Sequence, residues 1–303
     1  MGSNTMGEMI RSLRKRAHMT QEELAEGICS PISVSRIENG TQMPSNTVLE
    51  ALLSRLGTST YQICNIYYQT DKQLAFAQEA DQAAELLRAG RLAEAKDKLA
   101  ALEKSADSDS VNRQYFLLLS AAIMLYEETD MGKVLSILYK AIEMTKPSLD
   151  YLDFRNELLS VREANILNVI AAALFRSDEA VRAIHLAEEL YCSLKKHVSA
   201  VAGYHLLRIN VAFNLTQYME KEHRYREALT YCKEAEALSI NSQEQMLLPE
   251  ILFVKAKLLH LQGNDGESRI ILKAIIPYME LVEKQEFAEL ARNYAEKELN
   301  LSV

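Results

Sequence analysis

The sequence has few residues that interrupt regular secondary structure: its 303 residues include five prolines, ten glycines and no tryptophan. Hydrophobic residues make up 48 % of the chain. This composition favours an almost entirely α-helical protein. No hydrophobic run approaches the roughly 20 residues that a membrane-spanning helix requires, and no secretory signal peptide is recognisable. We therefore expect a cytoplasmic protein without a membrane segment.

Residue types that build catalytic or metal sites are sparse and scattered. The four cysteines, Cys29, Cys64, Cys192 and Cys232, form no Cys-x-x-Cys motif, which argues against both a zinc site and a disulfide framework. The six histidines form no His-x-x-x-His or His-Glu-x-x-His motif. A nucleophile elbow and a glycine-rich phosphate loop are also missing. The sequence thus predicts no metal, no cofactor and no enzymatic activity.

A strong positive charge, the usual mark of a nucleic-acid-binding protein, is absent as well. The formal net charge is −8 at pH 7. That charge is unevenly distributed, because residues 1–57 contain six basic and six acidic side chains and the remainder carries the whole excess. A neutral segment still binds DNA where its cations lie on one face. DNA binding therefore remains open for the N-terminal part of the chain.

Residues 19–44 carry the signals of two short helices joined by a tight turn. Thr20 is a favourable N-cap, and Glu23 follows it at the spacing of a capping box. Ser30 is suited to cap a second helix that has Pro31 at its first position, where the missing N–H costs nothing. The pattern predicts a helix-turn-helix, in which the second helix reads DNA.

The sequence of this motif resembles the Xre/Cro-type helix-turn-helix. The resemblance rests on Q-E-E-L-A at residues 21–25, S-R-I-E-N-G at residues 35–40 and P-S at residues 44–45. The turn E-G-I-C at residues 26–29 is closer still to the RRNPP family of bacterial peptide-pheromone receptors. The motif covers about residues 7–57 and is specific for the helix-turn-helix fold.

The resemblance implies a quorum-sensing transcription regulator that binds promoter DNA. It also implies an array of tetratricopeptide (TPR)-like repeats whose concave groove holds a short linear signalling peptide, a pheromone imported into the cell. A homodimer is implied too, and a two-fold dimer would read a palindromic operator in double-stranded DNA. Finally, the resemblance implies an ion pair between Arg14 in the first helix and Glu38 in the reading helix.

The candidate DNA contacts lie on the reading helix and beside it. Arg36 is the strongest candidate for a guanine contact; alternatively, it touches only a phosphate or pairs within the domain. Pro31 and Ile32 stand where the family usually has polar residues, and they suit an apolar contact with a thymine methyl group. The remaining candidates position the helix or hold phosphates. The full set is Gln21, Ser30, Pro31, Ile32, Ser33, Arg36, Asn39, Thr41 and Gln42.

From about residue 83 the chain repeats pairs of helices. Each second helix begins with a small residue and has an apolar or small residue four and seven positions later. This pattern predicts a right-handed TPR-like α-solenoid with a concave inner surface; an irregular helical bundle is the alternative. The sets are Ala95-Leu99-Leu102, Val134-Leu138-Ala141, Ala180-Ile184-Ala187, Ala228-Cys232-Ala235 and Ser268-Leu272-Ile275.

These signals divide the chain into four segments. Residues 1–5 are expected to be a disordered tail or a cloning leftover, residues 6–57 the DNA-binding domain and residues 58–82 a helical connector. Residues 83–303 are expected to form the repeat domain, which binds peptide and dimerises. Its last helix should bury Phe287, Leu290, Ala291 and Tyr294. The expected fold class is therefore all-α.

Asparagines recur on the first helices of two central repeats. Asn165 and Asn168 are three residues apart and Asn210 and Asn214 four apart, so each pair shares one helix face. An asparagine amide offers both a donor and an acceptor to an extended peptide backbone, and the resemblance implies this use. Further candidates for peptide side chains or a terminal carboxylate are Tyr204, Arg208, Phe213, Gln217 and Lys257.

Two other functions remain open at this stage. One is a DNA-binding regulator whose array senses a protein partner or a small molecule, and a closed apolar pocket would favour the small molecule. The other is a TPR adaptor whose helix-turn-helix is vestigial. Loss of DNA binding by the intact protein at low salt would favour the adaptor.

Overall fold

The computed structural model of the chain describes residues 6–17, 19–56, 71–106, 110–127, 130–157, 159–196 and 204–302. Within these residues there are fifteen α-helices and no strand, so the predicted all-α fold class is confirmed. No helix in the described ranges is long and apolar enough to span a membrane. The predicted N-terminal tail, the connector up to residue 70 and Cys64 lie outside the described residues.

The described residues form two compact units. The first contains residues up to 81 together with residues 159 and 160, and the second contains the rest. Four helices of the first unit are α1 (Met6–Arg16), α2 (Gln21–Ala25), α3 (Pro31–Glu38) and α4 (Asn46–Arg55).

Both predicted helix caps are present in the first unit. The Thr20 hydroxyl accepts a hydrogen bond from the backbone N–H of Glu23 at 3.1 Å, and the Glu23 carboxylate accepts one from the backbone N–H of Thr20 at 2.6 Å. Ser30 caps α3 by accepting from the backbone N–H of Ser33 at 3.0 Å. These bonds satisfy N–H groups that the first turns of α2 and α3 leave unpaired.

A compact apolar core holds the four helices together. Gly7 lies where α1 meets the end of α3, and a Cβ atom added there would be 2.1 Å from the carbonyl oxygen of Ile37. Glycine is therefore required for the close approach of these two helices. The buried side chains of the core are Ile10, Leu24, Ala25, Val34, Ile37, Leu49, Leu52 and Leu53.

The helices from α5 onward contain the repeats. They are α5 (Asp71–Arg88), α6 (Leu92–Ala106), α7 (Ser110–Tyr126), α8 (Met131–Glu143), α9 (Val161–Arg176), α10 (Ala180–Lys196), α11 (Tyr204–Lys221), α12 (Tyr225–Ser242), α13 (Leu248–Leu261), α14 (Asp265–Leu281) and α15 (Gln285–Leu299). From α7 on, consecutive helices pack against each other. The first helices α7, α9, α11 and α13 also contact one another more closely than the second helices do within the described part. The first helices therefore form the inner layer of a curved stack, as in TPR-like repeats.

The same three-residue turn joins five of the helix pairs. Its central residue has a left-handed backbone with φ between 59° and 81°. The next N–H donates to the carbonyl five residues earlier at 2.8–3.0 Å, which closes the helix end. The five central residues are Gly90, Asp178, His223, Gly263 and Glu283.

The turn fixes the register of each second helix and corrects one predicted set. In three repeats the residue five positions after the turn centre is the predicted small residue, and it is fully buried. The same count in α10 leads to Ala183, which is fully buried, whereas the predicted Ala180 is only half-buried. The prediction was wrong because residues three apart share a helix face, so periodicity alone did not distinguish Ala180 from Ala183. The three matching residues are Ala95, Ala228 and Ser268.

The last helix also differs from its prediction. Phe287 is 41 % exposed and Leu290 is 56 % exposed, so the expectation that both are buried was wrong. The predicted Ala291 is buried and the predicted Tyr294 is half-buried. The other buried residues of α15 are Ala288, Ala295 and Leu299. Alanines let α15 pack closely against α14, and the larger apolar side chains lie outside this contact.

Replacing Gly263 by alanine should destabilise the protein by about 1 kcal/mol, because a left-handed backbone disfavours a Cβ atom. No atom lies within 4 Å of the added carbon, so the cost would be conformational rather than steric. The measurement is urea unfolding of the full-length protein. Gly266→Ala is the matched control: its backbone is helical and its surroundings are equally open, so it should be neutral or stabilising. Equal effects of the two substitutions would contradict this interpretation.

Candidate DNA interface and candidate ligand groove

The predicted DNA contacts lie on the outer side of the first unit. Val34 and Ile37 turn the opposite side of α3 into the core, where both are buried. Gln21 and Ser33 are half-buried. The exposed candidates are Ser30, Pro31, Ile32, Arg36, Asn39, Thr41 and Gln42.

Arg36 is held by its backbone and not by its side chain. Its carbonyl oxygen accepts from the backbone N–H of Thr41 at 2.9 Å and from the Thr41 hydroxyl at 3.0 Å. These two bonds fold the segment after α3 back onto the helix. The exposed guanidinium has no ion-pair or hydrogen-bond partner among the described residues, so an internal pair is not seen there.

A buried ion pair joins three elements of the first unit. The Nε and Nη2 atoms of Arg14 donate to the two carboxylate oxygens of Glu38 at 2.6 and 3.0 Å. The Nη1 atom of Arg14 donates to the carbonyl oxygen of Met19 at 2.8 Å. The Gln21 side-chain amide donates to Glu38 at 2.8 Å. The ion pair implied by the resemblance is thus present. The side-chain amide of Gln21, predicted as a phosphate contact, is hydrogen-bonded to Glu38.

The electrostatics of Glu38 follow from this geometry. The Glu38 side chain is 1 % exposed and that of Arg14 is 11 % exposed. Burial alone would raise the pKa of Glu38, but hydrogen bonds from Arg14 and Gln21 outweigh it and hold the pKa below its usual value. The hydrogen bond to Glu38 likewise raises the pKa of Arg14. Glu38 is therefore a carboxylate at neutral pH, fixed between α1, the start of α2 and α3.

In the second unit, asparagine side chains meet across the inner layer. The Asn214 side-chain amide of α11 donates to the Asn168 side-chain oxygen of α9 at 2.9 Å. The Asn165 amide bonds instead to the carbonyl oxygen of Val161 in its own helix at 2.9 Å. The Asn168–Asn214 pair thus connects adjacent repeats. Asn168, Asn214 and Lys257 lie on the half-exposed inner surface of α9, α11 and α13. We call this surface the ligand groove, after the function predicted for it from the sequence.

Only some of the candidates on α11 share the side of Asn214. Asn210 lies one turn before Asn214 and is half-buried, and Gln217 lies about one turn after it and is exposed. Phe213 is 9 % exposed and contributes chiefly to the core. Asn210, Asn214 and Gln217 therefore form one polar stripe along α11.

Tyr204 and Arg208 do not belong to this stripe. The Tyr204 hydroxyl donates to the carbonyl oxygen of Leu194 in α10 at 3.1 Å. Arg208 is 9 % exposed and interacts with Tyr191 of α10. The reason is helical geometry: at 100° per residue, positions 208 and 210 point to nearly opposite sides of α11. The structure places these two residues in the contact between α10 and α11, and not with the asparagines.

Lys257 is the candidate residue of the ligand groove on α13. Its ammonium group donates to the carboxylate of Glu220 in α11 at 2.5 Å and lies 5.9 Å from the ring centre of Phe253. The pair connects α11 to α13, as the asparagine pair connects α9 to α11. Lys257 offers a cation beside an aromatic ring.

Three residues of the inner layer were missed by the sequence reasoning. The rings of Phe175 and Tyr218 stack with centroids 4.2 Å apart, and the Lys221 ammonium group lies 5.3 Å from the Phe175 centroid. The arrangement repeats the lysine–phenylalanine contact of α13, although here the two residues come from different helices. The phenylalanine–lysine spacing of four residues in α13 was a local signal, but no local signal joins Phe175 to Lys221.

Comparisons with known proteins agree with this fold. Residues 10–63 match the helix-turn-helix family model. No curated protein matches the chain in sequence. The fold is similar to Bacillus thuringiensis PlcR solved with the peptide PapR7 and DNA, with a TM-score of 0.65, 19 % identity and coverage of 96 % of this chain and 100 % of that chain.

Two further solved structures give the same result. PlcR of Bacillus thuringiensis in its apo form has a TM-score of 0.62 and 18 % identity, covering 94 % of this chain and 98 % of that chain. The apo form of the competence regulator ComR from Streptococcus vestibularis has a TM-score of 0.52 and 16 % identity, covering 96 % of this chain and 97 % of that chain. At these identities the likeness establishes the fold, a helix-turn-helix domain followed by TPR-like helix pairs.

Replacing Arg14 by alanine should destabilise the first unit by about 3–5 kcal/mol, because it leaves the Glu38 carboxylate buried without its partner. Hydrogen exchange of the α1–α3 amides in the full-length protein measures the effect. Lys15→Ala, an exposed neighbour, is the control and should change little. Unaltered protection in Arg14→Ala would contradict a stabilising role for the pair.

Acid provides a second check on the same pair. Since the pKa of Glu38 is lowered in the folded state, its contribution is fully present above the ordinary carboxyl value of 4.5 and is lost as pH falls through the folded pKa. Acid should therefore weaken the protection of α1–α3. Glu38→Gln should remove this part of the pH dependence.

Proposed function

We propose that this protein is a transcription regulator that binds promoter DNA through α3 and is controlled by a short linear peptide in the ligand groove. The observation that carries the proposal is a helix-turn-helix with an exposed reading surface in the same chain as an inner layer of paired asparagines. The fold likeness to PlcR, which has been solved with a peptide and DNA, supports it.

The dimensions and charge of α3 suit sequence-specific reading. An α-helix with its side chains is about 10–12 Å across, which fits a major groove about 12 Å wide, and the eight residues of α3 lie along about 12 Å of that groove. Because the segment 1–57 has no net charge, phosphate contacts supply limited affinity, and base contacts must contribute a larger share. A homodimer on a palindromic operator would double these contacts.

The ligand groove suits an extended peptide. A peptide that leaves water must find partners for its backbone N–H and C=O groups. The bond between Asn214 and Asn168 uses one N–H of Asn214 and one lone pair of the Asn168 oxygen. Each side-chain amide therefore keeps further donors and acceptors for a ligand. Lys221 and Lys257, each beside an aromatic ring, suit apolar side chains and an anionic group.

A small-molecule sensor is supported less well. A depression of about 360 Å³ in the second unit is lined by charged and polar residues as well as alanine and leucine, and it is open to solvent. It is not the closed apolar pocket that a small ligand favours. A peptide spread over the groove therefore remains the better proposal.

For the peptide to control DNA binding, a thermodynamic coupling between the peptide site and the DNA site is sufficient. A peptide that binds better to the DNA-competent state shifts the population toward it, and a peptide that prefers the other state does the reverse. By reciprocity, DNA must change peptide affinity by the same factor. The proposal thus covers activation and repression alike.

Replacing Asn214 by alanine should lower peptide affinity about 10- to 100-fold, because one or two backbone bonds of the ligand lose their partner. The measurement is calorimetric titration with the peptide that mass spectrometry identifies in the purified complex. Asn168→Ala should have a similar effect, and Asn241→Ala, an exposed asparagine of α12, should have none. Full affinity in both groove variants would contradict an asparagine-based groove.

Replacing Arg36 by alanine should weaken binding to the operator by about 1–3 kcal/mol and weaken binding to random duplex DNA less, because a base contact is lost. Titration of both duplexes with the full-length protein separates the two effects. Arg36→Lys is the matched control: it keeps the charge but not the guanidinium fork, so it should restore non-specific binding only. Parallel losses on both duplexes would make Arg36 a phosphate contact.

A further inference from the structure

Ile32 occupies an unusual position for an aliphatic side chain. It is 64 % exposed on the first turn of α3, while Val34 and Ile37 of the same helix are almost completely buried. In the described part of the first unit, the only other large hydrophobic side chain that is exposed is Met43, at 73 %. The first turn of a reading helix is the part that reaches base edges. An exposed isoleucine there is available for apolar contact with a base.

The hydroxyl groups of Ser30 and Ser33 are already hydrogen-bonded within the first turn of α3. The Ser30 hydroxyl accepts from the backbone N–H of Ser33 at 3.0 Å, and the two hydroxyl oxygens are 2.9 Å apart. Turning either hydroxyl toward a base would weaken the N-cap of α3. The polar side chains of the first turn therefore serve the helix, which leaves Ile32 as its principal outward group.

Arg36 is the next residue on the same face. It follows Ile32 by four positions, so the two side chains are neighbours on the helix surface. Four residues rise about 6 Å along the axis, whereas successive base pairs are about 3.4 Å apart. The two side chains thus reach bases that are no more than about two base pairs apart.

We propose that Ile32 and Arg36 together read a thymine and a guanine within two base pairs of each other in each operator half-site. Ile32 packs on the thymine C5 methyl group, which is the one large apolar group that the major groove displays. Arg36 donates two hydrogen bonds to O6 and N7 of guanine. This inference rests on the proposed DNA-binding function and specifies its target.

The test is selection of binding sites by the full-length protein from a random-sequence duplex library at low salt. The wild-type protein should enrich a thymine and a guanine at this spacing. Ile32→Ala should keep the guanine preference and lose the thymine preference, and Arg36→Ala should do the reverse. Met43→Ala, the other exposed large apolar residue in the described part of the first unit, is the matched control and should retain both preferences.

Replacing the selected thymine by uracil, which lacks only the methyl group, isolates the contact. Wild-type affinity should fall about three- to fivefold, the effect of one buried methyl group, and Ile32→Ala affinity should not change. Ile32 is exposed, so its substitution should not alter the unfolding midpoint. A thymine preference that survives Ile32→Ala, or equal uracil effects in both proteins, would overturn the inference. Failure to enrich any sequence, both without peptide and with the peptide that co-purifies with the protein, would contradict the proposed DNA-binding function itself.

Discussion

The buried pair of Arg14 and Glu38 is the interaction on which the helix-turn-helix of the first unit depends. The helices α2 and α3 contain five and eight residues, too few to be stable in isolation. Glu38 lies at the end of α3 and is bound by α1 through Arg14 and by α2 through Gln21. Since Gly7 also brings α1 against the end of α3, the orientation of α3 is fixed from its buried end and its outer face stays exposed.

In the second unit, small residues determine how closely the helices of each pair pack. Alanine or serine at the start of the second helices, such as Ala183, Ala228 and Ser268, allows each pair to pack closely. Contacts along the layer of first helices include the Asn168–Asn214 bond, the Lys257–Glu220 pair and the stacked rings of Phe175 and Tyr218. In the proposed complex, these polar groups would bind the peptide backbone, and the neighbouring aromatic rings would select among peptide side chains.

The sequence was a good guide wherever one local interaction decides the structure. Both N-caps, the helix-turn-helix and the helix pairs follow from signals within a few residues, and the resemblance supplied the Arg14–Glu38 pair. Longer-range features were less predictable. The register of α10 is set by Asp178 in a left-handed turn, which sequence patterns favour only for glycine or asparagine. Tyr204 and Arg208 pack against α10, away from Asn210. Periodicity did not predict this, because residues on both sides of α11 are buried or half-buried.

The central claim is that α3 reads the major groove of DNA, and dimethyl sulfate footprinting tests it most directly. The reagent methylates guanine N7 in the major groove and adenine N3 in the minor groove. On a duplex selected by the full-length protein, the account predicts protection of guanine N7 in two patches that are one helical turn, or a multiple of it, apart, as expected for a dimer. Adenine N3 should remain reactive at those positions. Protection confined to adenine N3, or no protection at all, would contradict the account.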